Sequence, residues 1–439
     1  MKTAIRPEAE MKDSNVQWIG NIPRDWYIRP LKSLYYLTTG FTPNSKDDAL
    51  YDENGEVWVT IGDLKGSLVT DSKQKISAEV AKMHIKEMTK KGSLMYSFKL
   101  SVGTVAFAGK DLFTNEAIAS LWPKNDLGNL NYLKYASSLI IGNANTNIYG
   151  AFIMNQQLIL NAPLPVPMKN EQQAIADYLD EKCSKIDEII AESKASIENY
   201  KELKQSVIFE AVTKGLDKNV DMKNSSIEGM GLIPEKWSIV RFMKTNYVRA
   251  RLGWKGLKAE EYVDTGYPFL SAYHIVNNHL SWENLNYITA ERYDESPEIK
   301  LSIGDLLLVK DGAGIGKCAR IDDMPLGEAT VNSSLSVITP NKSLDYRYVY
   351  YYFLSPLFQN IITRLKNGMG VPHLTQESMK DIYLPLPTKI EQKEIADFLD
   401  KKTSEIDSLI SEKQSLILDL EAYKKSLIYE VVTGKRRVV

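Results

Sequence analysis

The sequence predicts an α+β protein. Two mixed α/β globular segments are separated by two long helices, which pair as an antiparallel coiled coil, and a pseudo-twofold internal repeat relates the halves. Three observations carry this reading. A segment beginning at Glu171, EQQAIADYLDEKCSKIDEIIAESKASIENYKELKQSVIFEAVT, returns at Glu391 as EQKEIADFLDKKTSEIDSLISEKQSLILDLEAYKKSLIYEVVT, without a gap. A shorter lead-in also returns: MKDSNVQWIGNIPRDWYI from Met11 and MKNSSIEGMGLIPEKWSI from Met222. Neither long repeat contains proline or glycine, and both carry apolar residues every seven positions.

The chain therefore divides into a lead-in with a first globular domain (1–170), a long helix and linker (171–221), a second lead-in and globular domain (222–390), and a second long helix with its tail (391–439). At 439 residues it is long enough for two or three domains, each with its own core. No apolar run approaches the roughly 18–20 residues of a membrane span. The polar start, MKTAIRPEAEMKDS, has no signal-peptide core, and two distant cysteines suggest no disulfide framework. The expected setting is the cytoplasm. Only His274 and His279 lie near one another, without a zinc pattern around them. Net charge is −2, with slightly basic globular parts and an acidic first helix. A DNA binder of this composition needs local basic faces rather than a global excess.

Within the globular segments the drift is large, but traces of one fold survive. Gly55-Glu-Val-Trp-Val matches Gly266-Tyr-Pro-Phe-Leu, and GSLMYSFKLSVGTVAFA from Gly92 matches GDLLLVKDGAGIGKCARI from Gly304. The second of these stretches invites a phosphate-loop reading. Its spacing is wrong, because Asp311 holds the first glycine position and Cys318 replaces the magnesium-binding hydroxyl. In the first copy only Gly103 survives and Thr104 stands in place of Lys317. The repeat keeps a strand, a turn and a strand, with Gly312, Gly314 and Gly316 expected to supply positive φ.

Each helix should run about 43 residues, or roughly 65 Å at 1.5 Å per residue. The expected seam is Leu179, Ile186, Ile190, Ile197 and Leu203 in the first, and Leu399, Ile406, Ile410, Ile417 and Leu427 in the second. Ile189 belongs to the same second row as Leu203, mirrored by Leu409 and Tyr423. One small domain cannot cover so continuous a stripe, so the two helices are expected to cover each other rather than pack separately.

These residues carry a family resemblance. The lead-in (Met222, Lys223, Ser225, Gly231, Ile233, Pro234, Trp237), the motif from Leu384 to Asp400 around Glu391-Gln392, and the terminal VVTGK resemble the specificity subunit of a type I restriction-modification system. The resemblance covers nearly the whole chain. It implies two target recognition domains, each reading one half of a split double-stranded DNA sequence. The paired helices would act as a ruler and dock two modification (methyltransferase) subunits, which restriction (translocase/nuclease) subunits join. No cofactor is expected in this chain; S-adenosylmethionine, ATP and magnesium belong to the partner subunits. No membrane contact is implied.

Candidate DNA contacts follow from composition and placement. In the first domain they are Lys46 and Lys65, the four-apart lysines Lys82, Lys86 and Lys90 on one expected helix face with Lys91, and Asn145 and Asn147 in an Asn-rich turn. In the second they are Arg249, Arg251, Lys255 and Lys258 around Trp254, then Tyr273, His274 and Asn277, then Lys366, Asn367 and His373. Trp26 and Trp237 are expected to pack rather than read. A catalytic role is disfavoured, since no Pro-Pro pair exists to build an adenine methyltransferase tetrapeptide. The remaining rival is a non-enzymatic coiled-coil scaffold for other proteins.

Overall fold

The computed structural model describes residues 3–148, 150–251, 257–312, 314–367, 374 and 379–438, the side chains of 259 and 365–367 excepted. It contains two compact units, Met1–Ser193 with Ser415–Val439, and Lys194–Gln414. The long helices are Lys169–Lys214 and Lys389–Val432, so each unit takes one globular segment and a part of both helices.

In the first unit the lead-in folds as an antiparallel hairpin, Met11–Asp13 against Asn21–Pro23. A five-stranded sheet follows in the spatial order Tyr35–Thr39, Ile118–Pro123, Leu94–Ser97, Val105–Ala108, Leu68–Val69, antiparallel except for the last pair. Beside it lies a three-stranded sheet of Phe113–Thr114, Tyr51–Val59 and Gln74–Ile76. The second unit repeats the plan. Its lead-in hairpin is Met222–Asn224 against Leu232–Pro234. Its main sheet runs Asn246–Arg249, Leu335–Pro340, Leu306–Val309, Cys318–Arg320, and its smaller one Asn286–Ile288, Tyr267–Leu270, Thr330–Val331. The aligned strands make the same parallel contact, Trp58 opposite Phe113 and Phe269 opposite Thr330.

The unbroken apolar run Leu306–Val309 is explained by burial on both faces of its sheet. Leu306 and Leu308 belong to the core beneath the long helices, whereas Leu307 and Val309 belong to a separate core on the other side. Leu94 and Tyr96 divide from Met95 in the same way in the first unit. The glycine-rich stretch is a hairpin turn, with Leu308 opposite Cys318. Gly312 (φ +79°) and Gly316 (φ +90°) take the left-handed conformation, and a Cβ on Gly316 would sit 2.8 Å from Ile362. Gly314 does not need positive φ, which corrects the expectation for that residue.

The helices cover each other in opposite directions within each unit. In the first unit Leu179, Ile186 and Ile190 share a core with Leu427, Val431 and Val432. Lys424 donates to Asp187 at 2.6 Å. In the second unit Ile208, Ala211 and Val212 share a core with Ile395 and Leu399. There Lys204 donates to Asp407 at 2.6 Å. The second ion pair is the first displaced by 220 residues in both partners, so the repeat keeps the register as well as the helix.

One part of the expected seam is corrected. Leu203 is 48% exposed, and Ile189, Leu409 and Tyr423 of the same row are exposed too. The buried line instead alternates steps of four and three through Leu179, Cys183, Ile186, Ile190, Ser193 and Ile197, mirrored by Leu399, Thr403 and Ile406. The row through Ile175 and Ile395 is buried at the helix starts and then emerges into solvent.

Candidate nucleic-acid interface

Each globular domain is fastened to the helix that follows it by the duplicated Glu-Gln pair. Trp26 and Trp237 are buried, as expected of packing residues, and each also donates its indole N–H, to Glu171 (3.0 Å) and Glu391 (3.4 Å). Gln172 Nε2 donates to the Leu127 and Pro167 carbonyls, and Gln392 Nε2 donates to those of Ser343 and Pro387. About two turns on, Tyr135 donates to Asp180 and Tyr351 donates to Asp400, both through their hydroxyls. Burial opposes ionisation of Asp400, but hydrogen bonds from Tyr351, Arg320 and Arg347 outweigh it and hold the carboxyl below its ordinary value. Glu391 is held low similarly: burial raises it, and bonds from Thr388 and Trp237 more than offset that.

Against this frame the candidate contacts separate. Lys46, Lys65, Lys82, Lys86, Lys90 and Lys91 are all exposed on the first domain. The last four do not share one helix face, however. The helix Ala78–Met83 ends at His84 (φ −104°, ψ 24°), Lys86 lies on the following 3-10 turn, and Lys90 pairs with Asp111 at 2.9 Å. The break lets His84 stack on Phe41, with ring centroids 3.6 Å apart. Asn145 and Asn147 lie on an exposed hairpin, Asn145–Thr146 against Phe152–Ile153. Asn147 Oδ1 accepts the Ala151 N–H, a turn-building bond.

In the second domain three candidates are committed to the interior. Arg249 donates to Asp305, Thr339 and the Glu298 and Lys300 carbonyls, with its side chain 13% exposed. Arg251 is 8% exposed, 3.8 Å from Glu295. His274 is buried, and its Nδ1 accepts the Ser271 N–H in a capping box. Their sequence context was polar and aromatic, but partners inside the domain claim them first: the buried Asp305 for Arg249, Glu295 for Arg251 and the Ser271 N–H for His274. Tyr273, Asn277 and Lys258 remain at the surface. Asn277 and Asn278 both take positive φ in the tight turn between Ile275–Val276 and His279–Leu280. Lys255 and His373 lie outside the described residues, as do the side chains of Lys366 and Asn367.

A surface feature that sequence reasoning missed is a cross-strand aromatic pair between the first domain's edge strand and its neighbour. Tyr36 lies opposite Trp122, the rings stacked at 5.8 Å, with the Lys124 ammonium 4.8 Å above Tyr36. Tyr247, exposed on the second domain's edge strand, occupies the same repeat position. The signal was available, since both tyrosines follow their lead-in at one offset. Among the described residues no cluster of potential metal ligands occurs, and no helix is long and apolar enough to cross a membrane.

The family model for the type I restriction modification DNA specificity domain matches residues 23–199 and 253–417. The chain belongs to this specificity family. It is similar to the type I restriction enzyme MjaVIII specificity subunit of Methanocaldococcus jannaschii, 25% identical over 337 residues, covering 76% of each chain. The EcoBI specificity subunit of Escherichia coli is 22% identical and covers 91% of this chain and 84% of its own. A solved type I R-M assembly contains a chain of the same fold, with TM-score 0.72 at 14% identity over 94% of this chain and 99% of its own. Type I specificity subunits are the non-catalytic DNA-recognition components of their systems, and this chain is one by family.

Proposed function

We propose that each recognition domain reads one half of a bipartite double-stranded DNA target, that the paired helices set the spacing between the halves, and that they dock two methyltransferase subunits. Restriction subunits then complete the nuclease. S-adenosylmethionine, ATP and magnesium are used by those partners. The observation that carries this reading is the contrast within the repeat. The helix frame is duplicated down to single ion pairs, Lys204–Asp407 and Lys424–Asp187, while the exposed loops of the two domains differ. A conserved spacer holding unlike readers fits two half-sites at fixed separation.

Direct contacts come from the residues left at the surface: Lys46, Lys65, Lys82, Lys86, Lys91 and Asn145 in the first domain, Lys258, Tyr273 and Asn277 in the second. Lysines serve phosphates and fix register, whereas amides and aromatics reach base edges. Replacing residues 24–163 by another family member's domain and sequencing the methylome tests this. One half of the methylated sequence changes and the other stays. A change in both halves, or in neither, overturns the modular reading.

A further inference from the structure

We propose that Tyr132 and Tyr348 are positioning residues that hold each recognition domain at a set angle on the helix pair and thereby restrict the spacer length the chain accepts. The proposal rests on the bipartite reading above.

Tyr132 sits on the short helix Leu130–Ala136 of the first recognition domain, whose start is capped by the Asn129 side chain. Its hydroxyl lies 2.9 Å from the Pro165 carbonyl and 3.1 Å from the Val432 carbonyl. Pro165 is on the strand that leads into the first long helix, and Val432 is the last residue of the second. One hydroxyl therefore ties three parts of the unit together: the recognition domain, the start of one rod and the end of the other. Tyr348 repeats the arrangement in the second unit. It sits on the helix Tyr346–Leu354, capped by Asp345, at 2.9 Å from the Pro385 carbonyl and 3.1 Å from the Val212 carbonyl.

The chemistry favours a latch over simple packing. Val432 and Val212 lie in the last turns of their helices, where carbonyls have no intrahelical N–H to accept. Tyr132 and Tyr348 are fully buried, so water does not substitute for the hydroxyl. Burial also raises both phenols far above their ordinary pKa, which keeps the proton on the oxygen and available to the two carbonyls. The contact joins the part of the repeat that diverges between the two copies to the part they share, so it bears on how the reader is aimed and not on what it reads.

The test uses the chain assembled with its modification subunits and a plasmid library carrying both half-sites at the native spacer and at one and two base pairs either side. Wild type methylates one spacer length. The Tyr132→Phe/Tyr348→Phe variant should raise methylation at the neighbouring lengths, relative to the native one, by about tenfold for each hydroxyl lost, with both half-sites unchanged. Tyr352→Phe is the control. It removes a buried hydroxyl bonded to the Tyr383 carbonyl on the strand that also carries Pro385, a tie that does not include the end of the other rod, and should leave the spacer single-valued. A variant that stays confined to one spacer, or alters a half-site, overturns the proposal. Amide exchange of the isolated chain gives a second readout, and either single variant suffices for it if the double variant does not fold. Exchange should quicken at the last turn of the long helix each latch holds, and unchanged exchange there refutes the latch. Failure of the wild-type complex to methylate any split target would instead count against the bipartite reading.

Discussion

Replacing Ile186 by alanine should destabilise the chain far more than the same change at Leu203, although both occupy apolar rows of one helix. Ile186 is 6% exposed and packs in the core that contains Leu427 and Val431. Truncation removes three carbons from a closed site. At about 0.8 kcal/mol per buried methylene the transfer loss is roughly 2.4 kcal/mol, and the residual cavity brings the total to about 3–4 kcal/mol. Leu203 is 48% exposed, so half of its transfer energy is already forgone and solvent fills the space it leaves. Its truncation should cost about 1 kcal/mol or less. Urea unfolding followed by helical circular dichroism measures both. Equal losses, or an Ile186→Ala cost under about 1 kcal/mol, would refute the placement of Ile186 in the buried line and of Leu203 outside it.

Two further perturbations test the frame. Asp400 is held below the ordinary 3.8 by its bonds to Tyr351, Arg320 and Arg347, so it stabilises the fold above that value. The contribution is lost as pH falls through the lower folded-state pKa. Asp400→Asn should lower the urea midpoint at neutral pH and flatten its decline below pH 3.8; an unchanged acid slope would count against the ion cluster. Inserting one heptad after Ser193 together with one after Lys413, its repeat equivalent, should lengthen the methylated spacer and preserve both half-sites. A single insertion should abolish activity, because the Lys204–Asp407 and Lys424–Asp187 pairs can then no longer form together. Retained wild-type spacing in the double insertion would show that the helices do not set it.

The helix frame was legible because its signals are periodic and repeated. Proline-free heptads imply rods, and a matching second copy implies that each rod has a partner. The placement of Leu203 was not legible, since three seven-residue rows run along each helix and only the packed partner decides which are covered. Side-chain commitments were hidden for the same reason. Arg249 reads as a free cation in a basic stretch until Asp305, distant in sequence and 1% exposed, is brought beside it. His274 follows a strand and looks poised to read bases, yet its ring closes a local cap on Ser271. Local composition marks where polar groups are, and tertiary contacts mark which of them remain unspent. The expectation of a shared lysine face failed on a local detail, the break at His84, which the Phe41 stack stabilises and no spacing rule reveals.

The two units differ in how the chain passes from a helix end to the next lead-in, and the difference makes a last prediction. The first long helix stops at Gly215 (φ +74°) and continues covalently into the hairpin strand Met222–Asn224. The second stops at the equivalent Gly434 (φ +72°). Its following strand, Arg436–Val438, instead pairs antiparallel with Thr3–Ile5, which precedes the hairpin strand Met11–Asp13. The Arg6 N–H adds a bond to the Lys435 carbonyl, and the Arg6 guanidinium reaches Glu171 at 2.8 Å. A short β ladder thus does in one unit what a peptide linker does in the other. A chain joined from Val438 to Thr3 by a short flexible linker and opened between Lys218 and Asp221 should therefore fold. Trading one short closed loop for another of similar length changes the closure entropy by less than about 1 kcal/mol. Its circular dichroism and its methylated sequence should match those of the parent. Loss of folding would mean that the covalent 215–221 connection carries something the ladder cannot, and the equivalence of the two units would then stop at the helix ends.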